Sequence, residues 1–198
     1  MTRLIMFDCD GTLVDRQYVI IDSMQAVFRT RGLPAPTPEA VKRIVGLSLP
    51  DAIGRLHSAA DSAEIDDLVA AYKECFFDLR ASPNLHEPLF ADVVETLTLL
   101  EENSYVLGIA TGKSRRGLAA TLEMHGLAKY FVTLQTADDA PGKPHPCMLE
   151  RAMAETGLEK SDTVLIGDTV YDIETYAQTS VECISNVECI RKVWEGVE

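Results

Sequence analysis

The sequence predicts an α/β fold in which a parallel β-sheet is covered by helices and a helical segment is inserted after the first strand. Short apolar runs typical of buried strands lie at 4–7, 106–110, 131–134 and 163–166. Helical patterns separate the last three runs, and strands that alternate with helices indicate a parallel sheet. The first two runs are separated by a long stretch that contains no convincing strand.

The inserted stretch is helical throughout. Its clearest pattern places Ile65, Leu68, Val69, Tyr72, Phe76 and Leu79 at helical spacing, opposite a charged face. Further helical patterns occupy 19–31, 38–45 and 49–59, separated by the turn sequences GLPAPTP and GLSLP. We therefore expect two domains, an α/β core formed by 1–15 and 87–198 and a helical cap domain formed by 16–86.

The remaining elements complete the core. Helices are predicted at 92–102, 115–125 and 146–156, with an edge strand near 181–185 and a last amphipathic helix around Trp194. The predicted core is thus a Rossmann-like open sheet. Ligands bind such sheets at the carboxyl ends of the strands. The insertion leaves the core at that same end, so it is expected to lie over the site as a lid.

Composition limits the classes of function. The 198 residues carry a net charge of −13, which argues against nucleic acid as a partner. No apolar run approaches the roughly 20 residues that a bilayer span needs, and the N-terminus does not resemble a signal peptide. Five scattered cysteines form no CxxC pair and the four histidines are scattered too, which predicts a cytoplasmic protein with reduced thiols and no zinc site.

Acidic residues follow two of the predicted strands. Asp8 and Asp10 come directly after the first strand, and residues two apart point to the same side of an extended chain. Asp168 ends the fourth strand, and Asp172 follows it. Adjacent parallel strands would bring these carboxylates together, with a repulsion of roughly 4 kcal/mol per pair at about 4 Å. An all-oxygen cluster of this kind favours a hard cation, Mg²⁺ before Ca²⁺.

Cationic and hydroxyl groups follow the other two strands. The sequence IATGKS brings Thr111, Gly112 and Lys113 to the same edge, just before a helix whose first amides can hold an anion. Lys113 would suit an anion there, although a solvated surface lysine is its more ordinary interpretation. Lys143 lies in the stiff loop GKPHP, where it can supply the counter-charge that the acids need. Cys9 is expected to face away and to pack behind the strand.

The four strand ends together resemble the haloacid dehalogenase superfamily. The matching segments are DCDGTLVD, IATGKS, GKPHP and GDTVYD, in that order along nearly the whole chain. The segment VGLSLPDAI resembles the cap of phosphoglycolate-phosphatase-like members. The resemblance implies a Mg²⁺-dependent phosphatase that hydrolyses a small phosphomonoester, phosphoglycolate-like, through an aspartyl-phosphate.

The resemblance also implies a role for each matching residue. Asp8 would be the nucleophile, and Asp10 would protonate the leaving oxygen and then take a proton from water. Thr111, Gly112 and Lys143 would bind the transferring phosphoryl group. The implied metal ligands are Asp8, Asp10 through its backbone carbonyl, Asp168 and Asp172.

Asp10 also discriminates among the activities of the superfamily. Dehalogenases and phosphonatases resemble this first motif without its second aspartate, whereas an alkoxide leaving group requires a proton donor. Two alternatives remain: a sugar-phosphate mutase of the β-phosphoglucomutase kind, and a non-catalytic binding protein of the same fold. The mutase would need extra cap groups to hold a bisphosphate, and the binding protein would be expected to lack a catalytic residue.

Overall fold

The computed structural model describes residues 3–80, 87–179 and 182–185. The helix predicted around Trp194 and the last residues of the inserted segment lie outside those ranges. The elements are, in chain order, β1 (Leu4–Phe7), α1 (Gln17–Thr30), α2 (Pro38–Lys42), α3 (Leu49–Leu56), α4 (Ser62–Arg80), α5 (Val93–Glu102), β2 (Val106–Ala110), α6 (Arg115–His125), β3 (Thr133–Gln135), α7 (Cys147–Thr156), β4 (Thr163–Gly167), α8 (Val170–Thr179) and β5 (Glu182–Ser185).

The sheet has five parallel strands in the order β3-β2-β1-β4-β5. The α/β class and the parallel sheet are therefore confirmed. β1 is central, and its last residue, Phe7, pairs with Ile109 of β2 and with Ile166 of β4. Because the three strands end nearly level, the segments that follow them emerge side by side.

Both faces of the sheet are buried, which explains why the central strands are uninterrupted runs of apolar residues. Leu4 and Met6 point to one face, where they pack with Met148, Leu149 and Ala152 of α7. Ile5 and Phe7 point to the other face. They pack there with residues of α5 and α6 that include Val93, Leu97, Leu100, Leu118 and Leu122.

β3 begins at Thr133, two residues later than the pattern predicted. A short 3₁₀ turn, Ala128–Tyr130, precedes it. The Phe131 ring then packs edge-on against the Phe7 ring, with 6.2 Å between centroids. Phe131 therefore packs at the end of the apolar core without belonging to the strand, which begins after it.

The described part of the inserted segment, residues 16–80, folds around an apolar cluster of its own. α1 contributes Met24, Val27 and Phe28, which pack with Val41, Ile53 and Leu68 from the other helices. α2 and α3 begin at Thr37 and Ser48, whose hydroxyls accept backbone N–H groups of the first turn. α2 ends at Lys42, earlier than predicted, because the chain then turns toward Gly46, which has a φ of +94°.

One residue of the core joins the apolar cluster of the inserted segment. Tyr171 of α8 is 5% exposed, and its hydroxyl donates to the Arg43 carbonyl at 2.8 Å. Arg55 of α3 donates to the same hydroxyl at 3.1 Å. The inserted segment is thus attached directly to the helix that follows β4.

Within the described ranges, the helices are all too short or too polar to cross a lipid bilayer.

Candidate active site

The carboxyl ends of β1, β2 and β4 form one edge at which the sequence-predicted residues meet. The backbone N–H of Asp8 donates to the Ile166 carbonyl at 2.8 Å, so the first residue after β1 is still held by β4. Gly11 then turns the chain with a φ of +90°. A Cβ atom at Gly11 would overlap the Asp168 carboxylate, so only glycine fits there.

Asp8 is completely buried at the centre of this edge, with a relative exposure of 0%. The Lys143 ammonium lies 3.0 Å from Asp8 Oδ1. Among the described residues, no hydrogen-bond donor reaches the other carboxylate oxygen of Asp8, Oδ2. The pKa of Asp8 is raised to about 7: burial is the largest cause, Lys143 opposes it, and the Asp172, Asp168 and Asp10 carboxylates add to it.

Asp10 lies in a different electrostatic environment although it is only two residues away. The Lys113 ammonium contacts both of its oxygens, at 2.6 and 2.8 Å. The Arg16 Nε atom lies 3.5 Å from Oδ1. Burial alone would raise the pKa of Asp10, but the Lys113 and Arg16 cations outweigh burial and hold this pKa below its usual range. The two aspartates therefore differ in proton affinity, and Asp8 binds a proton more tightly than Asp10 does.

Lys143 bridges the two most buried acids. Its Nζ atom donates to Asp172 Oδ1 at 2.6 Å and lies 3.0 Å from Asp8 Oδ1. Burial alone would lower the pKa of Lys143, but Asp172 and Asp8 raise it above the usual range for lysine, so the ammonium stays charged. The counter-charge that the sequence predicted at Lys143 is therefore present between β1 and α8.

Three carboxylates converge where a metal ion was predicted. Asp8, Asp168 and Asp172 each offer an oxygen atom within 4.8 Å of the others. Asp168 is held by the Thr12 hydroxyl at 3.1 Å, and burial raises its pKa. These all-oxygen donors, together with the Asp8 Oδ2 atom, to which no described residue donates a hydrogen bond, fit a hard divalent cation.

Asp172 is the most constrained of the three acids. Its Oδ2 atom accepts the Thr169 N–H at 3.1 Å and the Thr169 hydroxyl at 2.6 Å, while Oδ1 accepts the Lys143 ammonium. A carboxylate oxygen has two lone pairs, so Oδ1 keeps one acceptor site. Asp172 thus orients Lys143 first and has little capacity left for a further ligand.

Thr111 and Gly112 lie at the end of β2, next to the inserted segment. Thr111 is 1% exposed, and its N–H donates to the Gln135 carbonyl at 3.0 Å. A Cβ atom at Gly112 would overlap the carbonyl group of Leu47, so the backbone of the inserted segment lies directly against this loop. Gly142 and Gly46 lie close to Ser48 and Thr169, where a Cβ atom would be 3.2 and 3.1 Å from the nearest side-chain atom, a tight contact but not an overlap.

The ordinary interpretation of Lys113 as a solvated surface lysine is wrong. Its side chain is only 8% exposed and forms the two contacts to Asp10 described above. The physical reason is register: β2 ends beside β1, so the loop after β2 passes the segment that follows Asp8. Nothing in the local sequence of Lys113 shows this proximity, which depends on the strand order.

Sequence reasoning missed Arg16 and Glu87. Both are buried, at 3% and 4% exposure, and Arg16 Nη2 lies 2.8 Å from Glu87 Oε1. They occupy the two points where the chain passes between core and inserted segment. The sequence contains one indication of this pair: the two residues of opposite charge directly follow the two predicted domain boundaries, 15/16 and 86/87. Cys9 lies where it was expected, fully buried in the core, and burial raises the pKa of its thiol to about 12.

The chain is similar to known proteins along most of its length. The model of the haloacid dehalogenase-like hydrolase family matches residues 5–185. A protein of Dickeya dadantii named "Probable phosphatase IndB" is 33% identical over 188 residues, which are 93% of this chain and 80% of that protein. A phosphoglycolate phosphatase of Vibrio parahaemolyticus is 33% identical over 176 residues, 86% of this chain and 77% of the relative.

Similarity to solved structures concerns the fold. A haloacid dehalogenase-like hydrolase from Bacteroides fragilis has a TM-score of 0.84 at 23% identity, covering 97% of this chain and 93% of that one. A β-phosphoglucomutase from Clostridium difficile has a TM-score of 0.81 at 15% identity, covering 97% and 88%. The same architecture thus occurs in proteins named for different reactions.

Proposed function

The chain belongs to the haloacid dehalogenase-like hydrolase family, and from this membership we propose that it hydrolyses a small, phosphoglycolate-like phosphomonoester in a Mg²⁺-dependent reaction. The phosphatase class follows from the relatives, which are named as phosphatases and match along most of their length. The observation that carries the finer proposal is the pair of aspartates after β1. Asp8 is buried 3.0 Å from Lys143, and Asp10 follows two residues later between two further cations.

Asp8 is the proposed nucleophile. Its carboxylate oxygen attacks phosphorus, the bond from phosphorus to the ester oxygen breaks, and an aspartyl-phosphate forms. Its Oδ2 atom is available for such an attack, because none of the described residues donates a hydrogen bond to it. Lys143 favours the ionised form of Asp8 and, with Thr111 and Gly112, is proposed to bind the transferring phosphoryl group.

Asp10 is the proposed proton-transfer group. It gives a proton to the departing ester oxygen and later takes one from the water that hydrolyses the aspartyl-phosphate. Lys113 donates to both of its carboxylate oxygens and Arg16 Nε lies 3.5 Å from Oδ1, so two cations keep Asp10 beside the nucleophile. A group in this position is needed for alkoxide leaving groups, which is why we favour phosphate esters as substrates.

Asp8, Asp168, Asp172 and the backbone carbonyl of Asp10 are the groups proposed to hold Mg²⁺. When bound, the ion neutralises the clustered carboxylates and the developing charge on the phosphoryl oxygens. Asp168 is the ligand we expect to matter most besides Asp8, because its carboxylate is held by the Thr12 hydroxyl and a backbone N–H but by no cation at salt-bridge distance among the described residues. Asp172 would act chiefly by holding Lys143.

We propose that residues 16–86 form a cap domain and that 1–15 and 87–198 form the core. The separate apolar cluster of the helical segment supports this division. The backbone of residues 46–48 lies against Gly112 and Gly142, so the segment covers the loops that follow β2 and β3. A cap in this position excludes water while the phosphoenzyme forms and decides which leaving groups fit.

The remaining parts of the proposal concern partners and location. We propose a small phosphorylated metabolite as substrate and a cytoplasmic location, without nucleic acid or membrane as a partner. The net charge of −13 supports this, since the phosphate-binding cations are few and local.

The test is a substrate panel assayed with the parent and with Asp8→Asn. The panel contains 2-phosphoglycolate, 4-nitrophenyl phosphate, a hexose phosphate and inorganic pyrophosphate, the last because some relatives are named pyrophosphatases. We expect Mg²⁺-dependent release of inorganic phosphate by the parent and none by Asp8→Asn. Equal rates in the two proteins would contradict the nucleophile assignment, and activity that survives chelation would contradict the metal site.

The same panel separates the phosphatase from the mutase. A mutase converts β-glucose 1-phosphate into its 6-phosphate isomer without net release of phosphate when a catalytic amount of the bisphosphate is supplied. We expect phosphate release instead. Isomer formation that exceeds phosphate release would establish the mutase alternative.

A further inference from the structure

Arg16 is a buried arginine at the first passage from the core to the inserted segment. Its side chain is 3% exposed, although arginine is rarely buried without partners. The mechanism proposed above uses Arg16 only as one of two cations near Asp10. Its other contacts extend to three separate parts of the molecule.

These contacts connect the two linkers and two helices. Arg16 Nη2 lies 2.8 Å from Glu87 Oε1, at the point where the chain returns to the core. The guanidinium carbon lies 4.6 Å from the centre of the Phe76 ring on α4, a cation–π distance. Arg16 Nη1 donates to the Thr121 hydroxyl of α6 at 3.4 Å.

The Asp10 carboxylate lies between two cations that have different attachments. Lys113 follows β2 and therefore holds Asp10 from the core. Arg16 Nε lies 3.5 Å from Asp10 Oδ1, an ion-pair distance without a hydrogen bond, while Arg16 Nη2 lies 2.8 Å from Glu87 Oε1. The position of the Arg16 guanidinium is thus set by the second linker and by α4. Because the Asp10 carboxylate lies beside this cation, its orientation depends on that position.

We infer that Arg16 is a positioning residue: it orients the Asp10 carboxylate toward the leaving group and couples this orientation to the two linkers of the cap. The inference rests on the proposed role of Asp10 in proton transfer. While Arg16 contacts Glu87 and Phe76, the Asp10 carboxylate is oriented toward the ester oxygen. A shift of the linkers breaks these contacts, and Asp10 loses this orientation.

The chemistry of arginine suits this function and that of lysine does not. A guanidinium presents several N–H groups in one rigid plane, so it can face Asp10, Glu87 and Thr121 together. A lysine keeps the charge but offers a single ammonium on a flexible stem. Arg16→Lys therefore removes the geometry while it retains the cation.

The experiment compares two leaving groups. A 4-nitrophenolate departs without a proton, whereas an alkoxide needs one from Asp10. We expect Arg16→Lys to lower kcat for an alkyl phosphate by about 10- to 100-fold, since a catalytic group misplaced by about 1 Å loses about 100-fold. The kcat for 4-nitrophenyl phosphate should change less than about threefold, and KM for both esters should stay near the parent value.

Glu87→Gln provides a second variant, because it leaves Arg16 in place but weakens its contact with residue 87. We expect the same preference for the nitrophenyl ester, smaller than in Arg16→Lys. Arg31→Lys is the matched control, since Arg31 forms an exposed pair with Asp67 far from this edge, and both rates should match the parent. An equal fall for both esters in Arg16→Lys, or no fall in either, would overturn the inference.

Asp10→Asn distinguishes this inference from the proposed function. Asp10→Asn should itself lower the alkyl rate far more than the nitrophenyl rate. If it does and Arg16→Lys does not, the positioning role alone is refuted. If Asp10→Asn shows no dependence on the leaving group, the proton-transfer role fails and the inference about Arg16 fails with it.

Discussion

Asp8→Asn is expected to yield an inactive protein that is more stable than the parent at pH 8 in the absence of divalent metal. Asp8 is fully buried, and burial with the neighbouring carboxylates raises its pKa from 3.8 to about 7. The folded protein thus binds a proton at Asp8 more tightly than the unfolded chain does. This tighter proton binding at Asp8 stabilises the folded protein fully below about pH 4, and the stabilisation is lost as the pH rises through about 7.

The size of the effect follows from that rise in pKa. A change from 3.8 to about 7 corresponds to about 4 kcal/mol between the two protonation states. The amide introduced by Asp8→Asn carries no charge at any pH, so the variant does not lose this stability. The free energy of unfolding of Asp8→Asn minus that of the parent should therefore increase by about 4 kcal/mol between pH 4 and pH 8.

The assay is urea unfolding of both proteins in a chelating buffer at several pH values, repeated with Mg²⁺. In Mg²⁺ the difference should shrink, because the ion stabilises the ionised parent. Asp10→Asn is a control in which the stability difference from the parent should change with pH in the opposite direction. The cations beside Asp10 lower its pKa, so its contribution is present above the unfolded pKa and is lost as the pH falls.

Asp10→Asn should accordingly be less stable than the parent at pH 8, and the two should converge in acid. A difference between Asp8→Asn and the parent that does not change with pH would refute the reasoning. It would mean that burial does not destabilise the ionised Asp8 carboxylate, because the neighbouring groups already neutralise its charge.

Three further predictions concern the cap and the metal. Gly112→Ala should lower kcat/KM about tenfold or more, because its Cβ would overlap the Leu47 carbonyl and displace the cap backbone; Gly54→Ala on α3 is the control, with parental rates and about 0.5–1 kcal/mol more stability in urea. Tyr171→Phe should lose about 1–2 kcal/mol, measured by urea unfolding, since its hydroxyl bonds Arg43 and Arg55, whereas Tyr18→Phe at a 76% exposed site should not change stability. Mg²⁺ at about 100 times its Kd should stabilise the parent by about 2.7 kcal/mol in a thermal shift assay, and Asp168→Asn should abolish most of that gain.

The sequence was most informative where apolar runs meet polar residues. β1, β2 and α6 were predicted with the bounds that the structure has, because buried parallel strands are continuous apolar runs and α6 starts at a serine cap and ends at a glycine. The convergence of Asp8, Asp168 and Asp172 was predictable because strands with the same direction end at the same edge.

The pairs that the sequence did not reveal are those that depend on which strands are neighbours. Lys113 and Asp10 are 103 positions apart, and they meet only because β2 lies beside β1. Arg16 and Glu87 meet because the inserted segment leaves and returns at adjacent points. Each charge looks like an ordinary surface residue in its own segment, since local patterning carries no information about a distant partner.

The charges at this edge also explain why Asp8 and Asp10 differ. The connected group contains five carboxylates, those of Asp8, Asp10, Glu87, Asp168 and Asp172, and three cations, Lys113, Lys143 and Arg16. Two cations contact Asp10, whereas Lys143 is shared between Asp8 and Asp172. The excess of two negative charges therefore falls on the Asp8 side, where the neighbouring carboxylates add to burial, the main cause of the raised pKa of Asp8. A divalent cation there would balance the excess and free the Asp8 carboxylate to act as a nucleophile, while Asp10 keeps its own counter-charges and needs none from the metal.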